Sequence, residues 1–155
     1  MKNNYSQNIG SISHGTMRRE DLIPDFISAL KSMRPFRRHH RTVVREIEHN
    51  IRAIEDYFDS EIATYDLNEG LFAVLDDYAP PFFYFGSHPA DGSDYGFWLL
   101  EEWEEQLADN GGIKVNDLSE VPIGFSGYVA QVSDHGNVTL YSYSRGRSRE
   151  IWSIC

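Results

Sequence analysis

His88, Asp91, Ser93 and Asp94 fall within seven residues of one another in the stretch Phe82–Leu99, FFYFGSHPADGSDYGFWL. Imidazole and carboxylate groups can hold a divalent ion, and an open coordination position would activate water for hydrolysis. His88, Asp91 and Asp94 could form such a site if folding brought His14 or His135 close. The spacing matches no HExxH, HxH or CxxC arrangement. The same residue types also build ordinary loops, because Asp carboxylates accept hydrogen bonds from nearby backbone N–H groups and Gly supplies positive φ. Loop architecture is therefore the expectation, and a metal-dependent hydrolase is the alternative.

Other routes to catalysis are weaker. The single cysteine, Cys155, is the last residue, and nothing in the sequence supplies it with a base. Ser87 precedes His88, but no GxSxG elbow is present. Neither common form of glycine-rich phosphate loop occurs. The chain reads as a non-enzyme, and no cofactor is expected.

Two charged stretches carry the binding hypotheses. Arg34, Arg37, Arg38 and Arg41 lie in a basic segment interleaved with Phe36, His39 and His40. Guanidinium groups beside aromatic rings could grip phosphates or RNA bases. The formal net charge of −10 argues against direct nucleic-acid binding. Carboxylates dominate the middle of the chain. Residues 1–52 carry ten Lys/Arg against five Asp/Glu, whereas residues 53–140 carry one Lys against eighteen Asp/Glu. Asp76, Asp77, Glu101, Glu102, Glu104, Glu105 and Asp109 are closely spaced within it, with Trp103 as an aromatic anchor. A row of carboxylates can imitate phosphates and occupy the Lys/Arg groove of a nucleic-acid-binding protein. The bland alternative is a solubilising helix face.

The elements that must position these groups follow from periodicity. A chain of 155 residues with 41% apolar content supports a packed core, and one domain spanning 1–155 is expected. Residues 1–13 are polar and expected to be flexible at first, then tied down near Ile12. Leu22, Ile23, Phe26, Ile27 and Leu30 repeat at helical spacing, with Thr16 as the expected cap. Pro24 either falls in a tolerant first turn or kinks that helix. Residues 34–41 read as a basic linker. A second helix is expected over Thr42–Phe58, with Val43, Ile47, Ile51, Ile54 and Phe58 facing inward. Asp66 and Glu69 resemble a capping box opening a third helix, whose inward face is Leu67, Leu71, Val74, Leu75 and Tyr78. Phe82–Gly86 and Tyr95–Leu99 read as paired strands around a long loop. Leu100–Asp109 reads as an acidic helix stopped by Asn110-Gly111-Gly112, and Ile113–Leu118 as a short strand.

Tyr128–Val132, Val138–Tyr143 and Glu150–Ile154 read as a three-stranded antiparallel meander. The fold class is therefore α+β, with N-terminal helices on one face of a mostly antiparallel sheet of about five or six strands. No apolar run approaches the ~20 residues of a membrane span, and the N-terminus lacks the apolar middle of a secretory signal. With no disulfide possible within the chain, a cytoplasmic location is expected.

Several stretches together resemble a family of small accessory proteins of bacteriophages and plasmids. They are His14-Gly15-Thr16, Asp21-Leu22-Ile23-Pro24, Tyr84–Pro89, Asp91–Trp98 and Asp134–Tyr141. The resemblance covers roughly residues 11–155 and carries over no catalytic residue. It implies a bacterial host cytoplasm and an anti-defence role of the anti-CRISPR or anti-restriction type. The implied partner is a host defence protein or ribonucleoprotein complex, bound without catalysis.

Overall fold

The computed structural model describes residues 9–155. Four helices and two sheets make an α+β fold, as the element order predicts. The seven strands divide into a three-stranded sheet, in the order β1-β3-β2, and a four-stranded sheet, in the order β4-β5-β6-β7. The described residues form two compact units. One comprises residues 10–79 and 84–98, and the other Pro80–Phe83 and Leu99–Cys155.

The first unit holds β1 (Gly10–Ser13), α1 (Arg19–Ser32), α2 (Arg38–Ala53) and α3 (residues 61–76). It also holds most of the hairpin formed by β2 (Phe83–His88) and β3 (Asp91–Leu99). Of the N-terminal segment expected to be flexible, residues 1–8 lie outside the described residues. Gly10–Ser13 pair antiparallel with β3, which ties the chain down around Ile12 as expected. That pairing requires glycine at position 96. A Cβ there would stand 2.1 Å from the Gly10 carbonyl oxygen, and backbone cannot yield as a side chain would.

All five stripe residues of α1 are buried, and Pro24 is its sixth residue, so one backbone hydrogen bond is missing early in the helix. Thr16 is not the cap. Arg18 holds that position without a side-chain capping bond, while the Thr16 hydroxyl donates to Asp21 and accepts from the Arg18 N–H. α2 starts four residues earlier than expected, so Arg38–Arg41 of the anticipated linker form its first turn. Its buried face is His40, Val44 and Ile47, a shift from the predicted stripe; of that stripe only Ile47 is fully buried. The imidazole of His40 finds polar partners in the core, which is why a histidine can lie there.

α3 begins at Glu61, where the Ser60 hydroxyl accepts from the Ala63 N–H. Asp66 is therefore not a cap. It opens a π-helical segment, Asp66–Leu71, between two α-helical turns. The π segment inserts one extra residue and re-phases the helix. Leu67, Leu71, Val74, Leu75 and Tyr78 are all buried, as predicted, and Asp66 is buried with them. Phe26, Phe72, Phe85 and Tyr95 pack edge-on or tilted with centroids 5.2–5.8 Å apart. Each such pair contributes about 0.5–1.5 kcal/mol beyond the area it buries.

The second unit holds α4 (Trp103–Asp109), β4 (Ile113–Val115), β5 (Gly127–Val132), β6 (Val138–Ser144) and β7 (Arg147–Ile154). β5, β6 and β7 form the predicted meander. β4 joins β5 in parallel and ends at Val115, earlier than the sequence suggested. Arg145 and Gly146, at φ 53° and 74°, make the two-residue turn between β6 and β7. Leu140, Val129, Ala130 and Trp152 are its most buried residues. The Trp152 indole donates to the Pro81 carbonyl at 2.9 Å, and its ring meets Phe83 edge-on.

Candidate functional site

The His/Asp stretch is a tight hairpin. β2 and β3 extend to His88 and Asp91, so only Pro89 and Ala90 turn the chain. His88, Asp91 and Asp94 each have a local task. His88 Nδ1 accepts from the Ala90 N–H at 3.0 Å, and its ring stands edge-on to Trp98 at 4.6 Å. Asp91 Oδ1 accepts from the N–H and hydroxyl of Ser93 at 3.0 and 2.8 Å. Those bonds, aided by the nearby imidazoles of His88 and His14, hold the Asp91 carboxyl below the usual range. Asp94 accepts from the Ser11 hydroxyl, which ties β3 to β1. His135 belongs to the β5–β6 turn of the other unit. Among the described residues no three His, Cys, Asp or Glu side chains stand where they could hold a metal ion.

The acidic residues separate into two groups. Asp76 and Asp77 belong to the first unit, and both work inside it. Asp76 Oδ1 accepts from the Phe85 N–H at 3.0 Å, fixing the start of the hairpin to the end of α3. Asp77 Oδ2 accepts from His40 Nε2 at 2.9 Å. Both remain exposed, so each of these two expected partner-binding carboxylates also has a bond within its own unit.

Glu101, Glu102, Glu104, Glu105 and Asp109 lie in the second unit, on α4 and the turn that leads into it. All five are exposed, and Trp103 among them is half-buried. Leu107 anchors the helix in the core, and the helix ends in a Schellman motif. Gly112 N–H donates to the Leu107 carbonyl, and Gly111 N–H to that of Ala108. Among the described residues, only Glu104 has a counter-charge, Lys114 at 2.9 Å. The side chains of Glu101, Glu102, Glu105 and Asp109 make no hydrogen bond or ion pair among the described residues. Two placements work against the helix itself. Glu105 and Asp109 are like charges four residues apart, which costs about 0.2–0.5 kcal/mol. Asp109 also sits in the last turn, where the helix dipole disfavours an anion. Residues 80–83 and 99–155 carry nine carboxylates against four Lys/Arg, and three of those four are Arg145, Arg147 and Arg149 around the β6–β7 turn.

The basic segment forms a groove of about 420 Å³ in the first unit. Lys31, Arg34, Phe36, Arg41, Arg45 and Glu48 line it. Arg34 Nη1 donates to the carbonyls of Lys31 and Met33 at 2.9 and 2.8 Å. Arg41 Nε donates to the Phe36 carbonyl at 2.9 Å, and its guanidinium lies 5.6 Å from the centre of the Phe36 ring. Arg37 and Arg38 are exposed but do not line the groove. Arg45 does, and so does Lys31, which sequence reading missed. The available signal was spacing, since Arg41, Arg45 and Glu48 share one face of α2.

A buried polar cluster also went unforeseen. Asp66 Oδ2 accepts from the Tyr57 hydroxyl at 2.8 Å and from the Asn50 amide at 3.0 Å. Burial, and then the bond to Asp66, push the Tyr57 phenol well above its usual range.

No protein-family model matches the chain, and no curated protein or solved structure matches it.

Proposed function

We propose that this chain is a mobile-element-encoded binding protein that blocks a host nucleic-acid-processing defence complex, of the anti-CRISPR or anti-restriction type, without catalysis. Glu101, Glu102, Glu105 and Asp109 would stand in for phosphates in the cationic groove of that complex, with Trp103 beside them. The observation that supports this reading is the α4 carboxylate row. It is exposed, almost without counter-charge, and includes two placements that weaken its own helix. Cationic side chains of a partner would relieve that repulsion, so binding gains what the free helix lacks. The resemblance to phage and plasmid accessory proteins supports the choice of a defence complex. Among the described residues no helix is long and apolar enough to cross a membrane.

The test is affinity capture from host lysate with the wild-type chain and a Glu101→Lys, Glu102→Lys, Glu105→Lys, Asp109→Lys variant. Circular dichroism establishes that the variant is folded. The reading predicts that the wild type retains a nucleic-acid-processing complex, that the variant does not, and that added salt releases it. Equal capture by both would contradict it.

A further inference from the structure

We infer that the basic groove between α1 and α2 binds a compact phosphomonoester, of which a nucleoside monophosphate is the representative. This inference is independent of the α4 reading. Lys31, Arg34, Arg41 and Arg45 face the groove, and Glu48 is its one carboxylate. Glu48 is already paired with Lys31, so the three guanidinium groups keep their charge. Two of them are held in place from behind. Arg34 spends one nitrogen, Nη1, on the carbonyls that end α1, and Arg41 spends only Nε on the Phe36 carbonyl. Their remaining N–H groups make no hydrogen bond among the described residues. Arg45 is exposed, and its guanidinium makes none among the described residues. A guanidinium fixed by one bond, with its other donors open, loses little freedom when it grips an oxyanion.

Charge and size choose the ligand. Four cations against one carboxylate match a phosphate dianion better than a single carboxylate. The volume of about 420 Å³ falls in the lower part of the range for small-ligand sites. Phe36 offers apolar surface for the rest of the molecule. The first unit as a whole carries fifteen Asp/Glu against nine Lys/Arg, so a long polyanion leaving the groove would meet repulsion. A compact ligand would not.

The experiment titrates the full chain with AMP, adenosine, inorganic phosphate, an eight-aspartate peptide and a 12-nucleotide single strand, by calorimetry at low salt. The inference predicts one saturable site for AMP, with weaker phosphate binding and no heat from adenosine. Arg45→Glu should weaken AMP at least tenfold, and Arg45→Lys should restore most of it. AMP binding as weak as adenosine would overturn the inference. So would an unchanged affinity in Arg45→Glu, or tighter binding of the single strand or the peptide than of AMP.

Discussion

The Nε2 of His40 stands 2.9 Å from a carboxylate oxygen of Asp77, and this contact joins the first turn of α2 to the end of α3. His40 is 2% exposed, and its Nδ1 lies 2.8 Å from the Tyr78 hydroxyl. That hydroxyl in turn donates to the Pro35 carbonyl at 2.9 Å. Asp77 is thus a structural carboxylate even though its side chain is 55% exposed.

Asp77→Ala should therefore lower stability without touching partner recognition. The substitution leaves a buried imidazole nitrogen short of a partner, at a cost of about 1 kcal/mol because water can replace part of the bond. Urea denaturation should show the lower midpoint, and affinity capture should match the wild type.

Tyr57 makes a pH prediction. Its phenol is held above the ordinary value of 10.0, first by burial and then by the bond it donates to Asp66. The fold therefore favours the neutral phenol over the phenolate. Stabilisation from this group is complete below about pH 10 and is lost as the pH rises further. Urea midpoints measured across the alkaline range should fall above that point. Tyr57→Phe should be less stable at neutral pH by about 1–2 kcal/mol and should show a shallower alkaline decline.

Gly96→Ala tests the close approach of β1 to β3. The new methyl would collide with the Gly10 carbonyl and the Ser11 Cα. Opposed backbone must part, so a loss of about 1–3 kcal/mol or more is expected. Amide exchange should quicken in Gly10–Ser13 before it does in β5–β7.

Local patterns made much of this fold readable. The α1 stripe, the α3 stripe, the glycine stop after α4 and the C-terminal meander all rest on short-range periodicity and turn chemistry. Asp66 looks like a cap because Asp66 and Glu69 have capping-box spacing, while the actual cap, Ser60, precedes a turn whose Ile62 and Tyr65 are exposed and mark no inward face. The hairpin loop was overestimated because Asp-Gly-Ser-Asp has turn composition. Its strand geometry depends on non-local contacts, among them the Ser11 bond to Asp94. Parallel pairing of β4 with β5 is likewise invisible in a linear pattern. Among the site residues, the α4 carboxylates were legible as a cluster. The engagement of Asp76 and Asp77 was not, because Phe85 and His40 lie nine and thirty-seven residues away. Lys31 looks like an ordinary solvated helix charge until α1 and α2 set it beside Arg41 and Arg45 along the groove.

The proposed phosphate imitation by α4 has one direct consequence: nucleic acid and this chain would compete for the same surface. The decisive measurement is the affinity of the captured defence complex for labelled nucleic acid as the chain is titrated in. The account predicts that the apparent Kd rises in proportion to chain concentration, and that the four-lysine variant of α4 leaves it unchanged. A ternary complex in which partner, nucleic acid and chain are bound together at undiminished affinity would contradict it.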